Sequence, residues 1–595
     1  MLFDRRWVWP GAVALLWVST PFATVWGQGV ELRRVAISGE LAGMQPEPPV
    51  TSPPIPASVW QSARYGRFSQ ASINASGDVA MYGASTYGQH VWLWRQGRSE
   101  LLYTAGQDVP GPPLQAVSLR STLPVYWPAL TLNDDASVAM LCNGPWPVQY
   151  SMNSSRPVAV WTLRPGAMRA RMVSGMTVPL AGADQWFVMV LRVASSSEAI
   201  VAASTYTRSA GVPGGERPGL WISTNDRLRP LLLAGEPAPD VEGWQGLVDH
   251  IFVNDVCVNP RGEVLVATSR SDLVFVDRDG RARELLGGRT GTTRPRELLV
   301  FGGMAETPFN VRGQTVVLSA VGIGEPPGPL VRIDADGTRT IVRTFPASDP
   351  IGDGRRVEYD RPNRGALLNA SGHVVFQSTG TVIEADGSRG PRGEVLLRLR
   401  DNGATLLNYG FLGQGTLAPL QQQLSYAVNS TGQVAFLTRT ADQHALWLTD
   451  IAGRAYMVAR VGQALDVDPD PLVTDLRTVS SINVSTGSGG QDGRPRALND
   501  RGELVFVASF SDLSSTVLLA RVPGGACGAH DVASAGGVPW PDGALTADDI
   551  IVFVGWFFAA DARADVAGAG QTVGADGQFT ADDIILFVNR FFAGC

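Results

Sequence analysis

The chain contains no lysine, so all 48 of its cationic side chains are arginine. Schiff-base and other lysine-dependent catalysis is therefore excluded. Histidine is scarce. His90, His250, His373, His444 and His530 form no H-E-x-x-H pair, and none lies at zinc-finger spacing from a cysteine. No G-x-S-x-G elbow, no P-loop and no G-x-G-x-x-G opening a helix stands out. Charged residues make up 17% of the chain and the net charge is −7, which argues against a nucleic-acid partner, since such a partner calls for a basic face. After the N-terminus no segment has the ~20 consecutive apolar residues of a transmembrane helix. Only four cysteines occur, Cys142, Cys257, Cys527 and Cys595.

What is present begins with an address. "MLFDRRWVWPGAVALLWVSTPFATVWGQG" carries Arg5 and Arg6, then an apolar stretch over 11–26, then Val25-x-Gly27 ahead of Gln28. This pattern reads as a secretory signal peptide over 1–27, with a retained anchor as the alternative. The expectation is a protein that is secreted or held at the cell surface, with no membrane span after cleavage. Export makes disulfides possible.

The 44% apolar content is enough for a packed core, and 67 glycines and 40 prolines spread along the chain point to many turns between short strands. The turns repeat. "INASGDVAM" (73–81), "LNDDASVAM" (132–140), "VNPRGEVLV" (258–266), "FNVRGQTVV" (309–317), "LNASGHVVF" (368–376), "VNSTGQVAF" (428–436) and "LNDRGELVF" (498–506) are copies of one phrase, with a degraded copy near 194–202. Asparagine can bond its own backbone two residues on, and glycine can take positive φ without a Cβ clash. The phrase is thus a strand end, a tight turn and a new strand, with Asn74, Asn259, Asn310, Asn369, Asn429 and Asn499 as turn formers rather than ligand groups.

A second phrase follows each copy, as in "HVWLWRQG" (90–97), "AVWTLRPG" (159–166), "GLWISTND" (219–226) and "ALWLTDIAG" (445–453). Its recurring Trp92, Trp161, Trp221 and Trp447 read as packing between repeats before they read as a sugar platform. A third strand-like phrase ends in a Gly/Pro turn, giving about four strands per unit of about 60 residues, the size of a propeller blade. The array is cut within a unit: "VELRRVAISGE" (30–40) matches the third phrase, while the array stops at a second phrase, "TVLLARVPG" (516–524). Joining the two ends completes an eighth unit. A ring closed by its own termini removes the exposed sheet edges that an open stack must blunt. The fold expected over 28–524 is a β-propeller of eight blades, with seven as the alternative because the copy near 195 is poor. The repeated phrase resembles the bacterial tandem-repeat proteins named for an N-x-x-G-x-x-x-F pattern, which carry various C-terminal anchors. That resemblance implies no defined activity.

The tail, 525–595, is a duplication. "DVASAGGVPWPDGALTADDIIVFVGWFFAAD" (531–561) and "DVAGAGQTVGADGQFTADDIILFVNRFFAGC" (565–595) align at an offset of 34 residues. The pair resembles the dockerin module in its Gly-Cys-ending variant, in which two EF-hand-like calcium loops each precede a helix. The resemblance implies Ca2+ ligands at Asp542 and Asp576, backbone carbonyls at Ala544 and Gln578, carboxylates at Asp549 and Asp583, and first ligands at Asp531 and Asp565. The last two depart from the pattern, lying eleven residues before the Asp-Gly aspartate where a regular loop has four. Either the loops carry insertions or they bind no metal, and the plainer role for acids at this point is starting the helices. Cys527 and Cys595 bracket both copies, so a Cys527–Cys595 disulfide would clasp the module and could add up to about 4 kcal/mol. Cys142 and Cys257 read as buried thiols.

The expectation is an exported, non-enzymatic binding or scaffold protein, docked through its tail to a cohesin-like or other surface receptor and open to a carbohydrate ligand. The alternative is a secreted carbohydrate-active enzyme, a glycosidase or lyase, with paired carboxylates in the propeller channel.

Overall fold

The computed structural model describes residues 30–593 except 41–63, 110–116, 119–129, 144–156, 174–184, 234–252, 287–307, 319–327, 412–425, 523–531, 534–544 and shorter runs between elements. The signal-peptide region, Cys527 and Cys595 lie outside the described residues.

Among the described residues eight antiparallel sheets follow in chain order, each a blade, with two short two-stranded pairs beside them, one of them Asp108–Val109 with Val117–Ser118. Blade 1 is Tyr65–Ile73, Val79–Ser85, Gly88–Arg95 and Arg98–Thr104. Blade 2 is Leu130–Leu132, Val138–Asn143, Pro157–Arg164 and Ala167–Val173. Blade 3, the poor copy, is complete: Gln185–Ser197, Ile200–Ser209, Glu216–Thr224 and Arg227–Leu233. Blade 4 is Val253–Val258, Val264–Thr268, Leu273–Val276 and Ala282–Leu286, and blade 5 is Thr315–Leu318, Leu330–Ile333 and Arg339–Arg343. Blade 6 is larger. Its inner strand is split into Arg355–Pro362 and Leu367–Leu368, flanked by Ala347–Gly352 on one side and by Val374–Ile383, Gly393–Arg400 and Gly403–Phe411 on the other. Blade 7 is Tyr426–Val428, Val434–Arg439, His444–Thr449 and Ala455–Arg460. Blade 8 runs Ala464–Asp466, Leu476–Asn483, Leu504–Phe510 and Ser515–Arg521, and takes its outermost strand, Glu31–Ile37, from the N-terminal end of the chain. Glu31 pairs with Arg521 and Ile37 with Thr516. The unit cut in the sequence is thus rejoined in space.

Why these strands form blades follows from their period of two. In blade 1 Met81, Trp92 and Trp94 face blade 8, while Ala80, Val91 and Leu93 face blade 2. Each middle strand is therefore apolar on both sides. Eight hydrophobic clusters result, one at each junction between successive blades, and the last, with Val505, Val507, Val517 and Leu519 against Ile73 and Trp92, closes blade 8 onto blade 1. Trp92, Trp161 and Trp221 are fully buried and pack toward the preceding blade. Each sits where the register between the third and fourth strands shifts by one residue. The bulge gives the indole its room. Trp447 stands at the same kind of shift and donates Nε1–H to Thr438.

The C-terminal unit has two helices, Ala547–Phe558 and Ala581–Ala593, and a short pair, Ala567–Gly568 with Thr572–Val573. Phe553 and Phe587, related by the duplication, stack at 3.8 Å. Among the described residues no helix is long and apolar enough to cross a membrane.

Candidate functional site: the turn ring and the channel plug

The repeated asparagines end the inner strands and are completely buried. Asn429 shows how the turn works. Its Oδ1 accepts from the Gln433 N–H at 2.9 Å, and the Gly432 N–H closes onto the Asn429 carbonyl at 3.1 Å. Gly432 sits at φ +89°, as this turn requires. In blade 2 Ala136 holds the same place at φ +60°.

The side-chain amides do a second job that turn chemistry does not reveal. Each Nδ2 donates to the next blade: Asn74 to the Asn133 carbonyl (3.3 Å), Asn133 to Ser195 Oγ (2.9 Å), Asn259 to Asn310 (3.4 Å), Asn310 to Asn369 (3.0 Å), Asn369 to Asn429 (2.8 Å), and Asn429 to Asn499 (2.9 Å). Asn499 donates to the Asn74 carbonyl at 3.1 Å and closes the circle. Where the phrase reads Asn-Asp, the aspartate adds a further strap: Asp134 accepts from the Ala75 N–H and Asp500 from the Ser430 N–H, each at 2.8 Å.

The inner strand of blade 8 leaves the sheet after Asn483 and returns at Leu498, and the excursion crosses the ring. The Gly487 N–H donates to Tyr426 (2.8 Å) and Ser488 accepts from Val428 (3.1 Å), both in blade 7. Asp492 accepts from the Val258 N–H of blade 4 (3.0 Å), and Gly493 from the Ser195 N–H of blade 3 (2.7 Å). Arg496 accepts from the Ile73 N–H of blade 1 (2.8 Å). A segment bonded to inner strands on opposite sides of an eight-membered ring must lie on its axis. It is a plug. At the interruption of the amide ladder between Ser195 and Asn259, successive plug carbonyls serve both sides of the gap.

Glycine makes this approach possible. A Cβ on Gly489 would lie 2.2 Å from the Leu368 carbonyl oxygen, and one on Gly493 2.7 Å from that of Val258. The plug's charges are engaged within it and by the ring. Asp492 is fully buried and accepts from Ser488 Oγ (3.0 Å), the Arg494 N–H (3.2 Å) and Arg494 Nε (2.9 Å). Arg496 pairs with Asp134 and donates Nε–H to the Ile73 carbonyl at 3.1 Å. These carboxylates are hydrogen-bond acceptors fixed by their partners, not a facing acid–base pair. The sequence signal for the plug is spacing: 70 residues separate Asn429 from Asn499, against 60 between Asn369 and Asn429.

In the C-terminal unit, Asp549 and Asp583 are buried helix caps. Asp549 Oδ1 accepts from the Val532 and Ala533 N–H groups (both 2.7 Å), and its Oδ2 from Thr546 N–H (2.7 Å). Asp583 repeats the pattern with Val566, Ala567 and Thr580 (2.8, 2.8 and 2.9 Å). Burial pushes the Asp583 carboxyl up, but its backbone N–H bonds outweigh that and hold it below the usual aspartate value. The Asp548 N–H donates to Thr546 Oγ1 within the first helix's cap, and Asp549 closes the capping box from its third position. Each of the two carboxylates thus accepts three backbone N–H bonds at the start of its helix. Among the described residues, no group of three or more His, Cys, Asp or Glu side chains is placed to hold a metal. Asp565 and Gln578 are described, while Asp531, Asp542, Ala544 and Asp576 lie outside the described residues. Cys257 is a buried thiol at the inner end of blade 4.

Fold and site together define an eight-bladed β-propeller with a plugged channel, closed by its N-terminal strand. The chain belongs to the family of unknown function DUF7453, whose model matches residues 56–279 and 410–525, more than half of it. No curated protein sequence matches it. Among solved structures, it is similar to a Mycobacterium tuberculosis puromycin-hydrolyzing peptidase at 13% identity and TM-score 0.33, over 75% of this chain and 57% of the peptidase, so it spans little more than half of that protein. It is also similar to an ulvan lyase of polysaccharide lyase family PL25 (9%, TM-score 0.28, 66% of this chain and 90% of that one). The β-propeller domain of the Trilobed protease from Pyrococcus furiosus, described as having an open velcro topology, matches at 9% and TM-score 0.30, over 67% and 95% of the two chains.

Proposed function

We propose that this is an exported, non-enzymatic binding or scaffold protein. Its propeller presents a surface, and its C-terminal dockerin-like module fastens it to a receptor on or outside the cell. The plug is the observation that carries this reading. The channel mouth is where a propeller would assemble convergent catalytic groups, and here it holds backbone and glycine, with Asp492 and Asp134 committed to arginines. That weighs against a carbohydrate-active site in the channel.

The docking half of the reading is supported by exposed apolar side chains that respect the duplication. Ile551 and Ile585, and Phe558 and Phe592, are pairs 34 residues apart, and the two phenylalanines are 80% and 76% exposed. Such residues suit a partner surface. Calcium enters the proposal through the resemblance alone. The test is calorimetry of calcium into the mature full chain, followed by a pull-down of surface proteins with Phe558→Ser/Phe592→Ser as control. Retention of a surface receptor by the wild type and not by the double variant supports docking. Equal capture by both overturns it, and the absence of calcium heat removes the ion from the proposal.

A further inference from the structure

Arg398 is a buried charge with no salt bridge among the described residues. It lies on the third strand of blade 6, wholly buried, between that blade and blade 7. One Nη donates to the Gly432 carbonyl, but Nε and the other Nη have no hydrogen-bond partner among the described residues. A buried guanidinium in this state is expensive, because desolvation is not repaid by pairing.

The fold does not require an arginine here. The strand-paired register puts Leu93, Leu448 and Leu519 at the same place in blades 1, 7 and 8, opposite Ala80, Ala435 and Val505, as Arg398 lies opposite Val375. Blade 5 supplies an internal control. Arg332 occupies the same register, opposite Val316, and two residues on, along the same strand face, Asp334 lies 3.8 Å from its Nε. In blade 6 that following residue is Arg400. A second cation stands where blade 5 has a carboxylate. Burial, with Arg400 adding to it, pushes Arg398 down to about 10, and Asp450 opposes this only through space.

We propose that Arg398 anchors a buried site for a small monovalent inorganic anion, chloride-like, between blades 6 and 7. The one guanidinium that is wholly buried asks for one negative charge, and Asp450 reaches it only through space. Size follows from the turns that close around the guanidinium. A Cβ on Gly453 would lie 3.3 Å from the open Arg398 Nη and one on Gly432 3.5 Å from the other, so these turns crowd the guanidinium and favour a monatomic over a polyatomic anion. The open Nε–H and Nη–H groups supply the donors.

The test is the thermal unfolding midpoint of the mature full chain as chloride replaces gluconate at constant ionic strength. The site predicts a saturable rise, about 1 °C at ten times the dissociation constant, since a ligand bound only by the folded state stabilises it by mass action. Arg400→Asp rebuilds the arrangement of blade 5, neutralises Arg398 from within, and should abolish the chloride response while leaving the chain folded. Arg398→Met, close to the leucines at this register, should do the same. No chloride response in the wild type, which is the outcome if ordered water alone meets the donors, overturns the proposal. So does an equal response in wild type and Arg400→Asp.

Discussion

The amide ladder can be separated from the turns it grows out of by one isosteric substitution. Asn429 is completely buried, and its two ends serve different structures. Oδ1 holds the turn, accepting from the Gln433 N–H (2.9 Å) and Thr431 Oγ1 (2.8 Å). Nδ2 holds the neighbour, donating to the Asn499 carbonyl (2.9 Å) and to Gln433 Oε1 (3.0 Å). Asn429→Asp keeps the acceptor and replaces the donor with an oxygen facing two oxygens. Losing a buried donor leaves its acceptors unpaired, at about 1–3 kcal/mol each, and the buried carboxylate adds to this, so a loss of about 3–5 kcal/mol is expected. Asn429→Ala removes both ends and should cost about the same or more. Urea unfolding followed by tryptophan fluorescence reads the change, since 16 tryptophans lie along the chain. The reasoning fails if Asn429→Asp is within about 0.5 kcal/mol of wild type while Asn429→Ala is strongly destabilised. In that case the turn alone matters and the inter-blade bond contributes nothing.

Three further outcomes follow from the same geometry. His90, buried with Nε2 at 2.6 Å from Ser85 Oγ and Nδ1 at 3.1 Å from Thr104 Oγ1, is pushed by burial from 6.5 down to about 4. The unfolded chain therefore binds a proton that the folded one refuses between those values, so stability falls as pH drops from 6.5 toward 4, by up to about 3 kcal/mol. Urea midpoints at pH 7 and pH 4.5 should show the loss, and His90→Asn should flatten that part of it. Gly262 and Gly493 share a left-handed backbone at φ +78° and +75° but differ in surroundings. A Cβ on Gly262 meets only Ile200 Cδ1 at 3.8 Å, so Gly262→Ala should cost the conformational strain alone, about 1 kcal/mol. Gly493→Ala should cost about 3 kcal/mol or more, since its Cβ collides with backbone, and should speed hydrogen exchange at the Ser195 and Val258 amides that the plug protects.

How much could be read without coordinates depended on the range of the interaction. Asn-x-x-Gly is legible because an asparagine amide and a positive-φ glycine act within five residues of chain. Ala136 in the glycine position and Ser195 in the asparagine position were the obscured copies, and the blades that hold them form nonetheless, because apolar alternation at the blade junctions outweighs an imperfect turn. Closure was legible too, because Glu31–Ile37 and Ser515–Arg521 are fragments of one unit. The acidic residues of the tail were not decidable in this way. The spacing of Asp549 and Asp583 suits a calcium loop and a helix cap equally, and what the tertiary structure adds is the backbone N–H groups of Val532, Ala533, Val566 and Ala567 that meet these carboxylates, which sequence cannot bring into range.

The sequence by itself determined the unit, its strands, its turns and the fact that its two ends must meet, since all of these rest on local propensity and periodicity. Tertiary structure alone decided what each turn touches. An Nδ2 finds the carbonyl of a residue some 60 positions away, a glycine-rich excursion lands on the axis, and an arginine is buried between two blades with most of its donors open. These depend on which backbones the closed ring brings within 3 Å of one another, and no pattern along the chain encodes that distance.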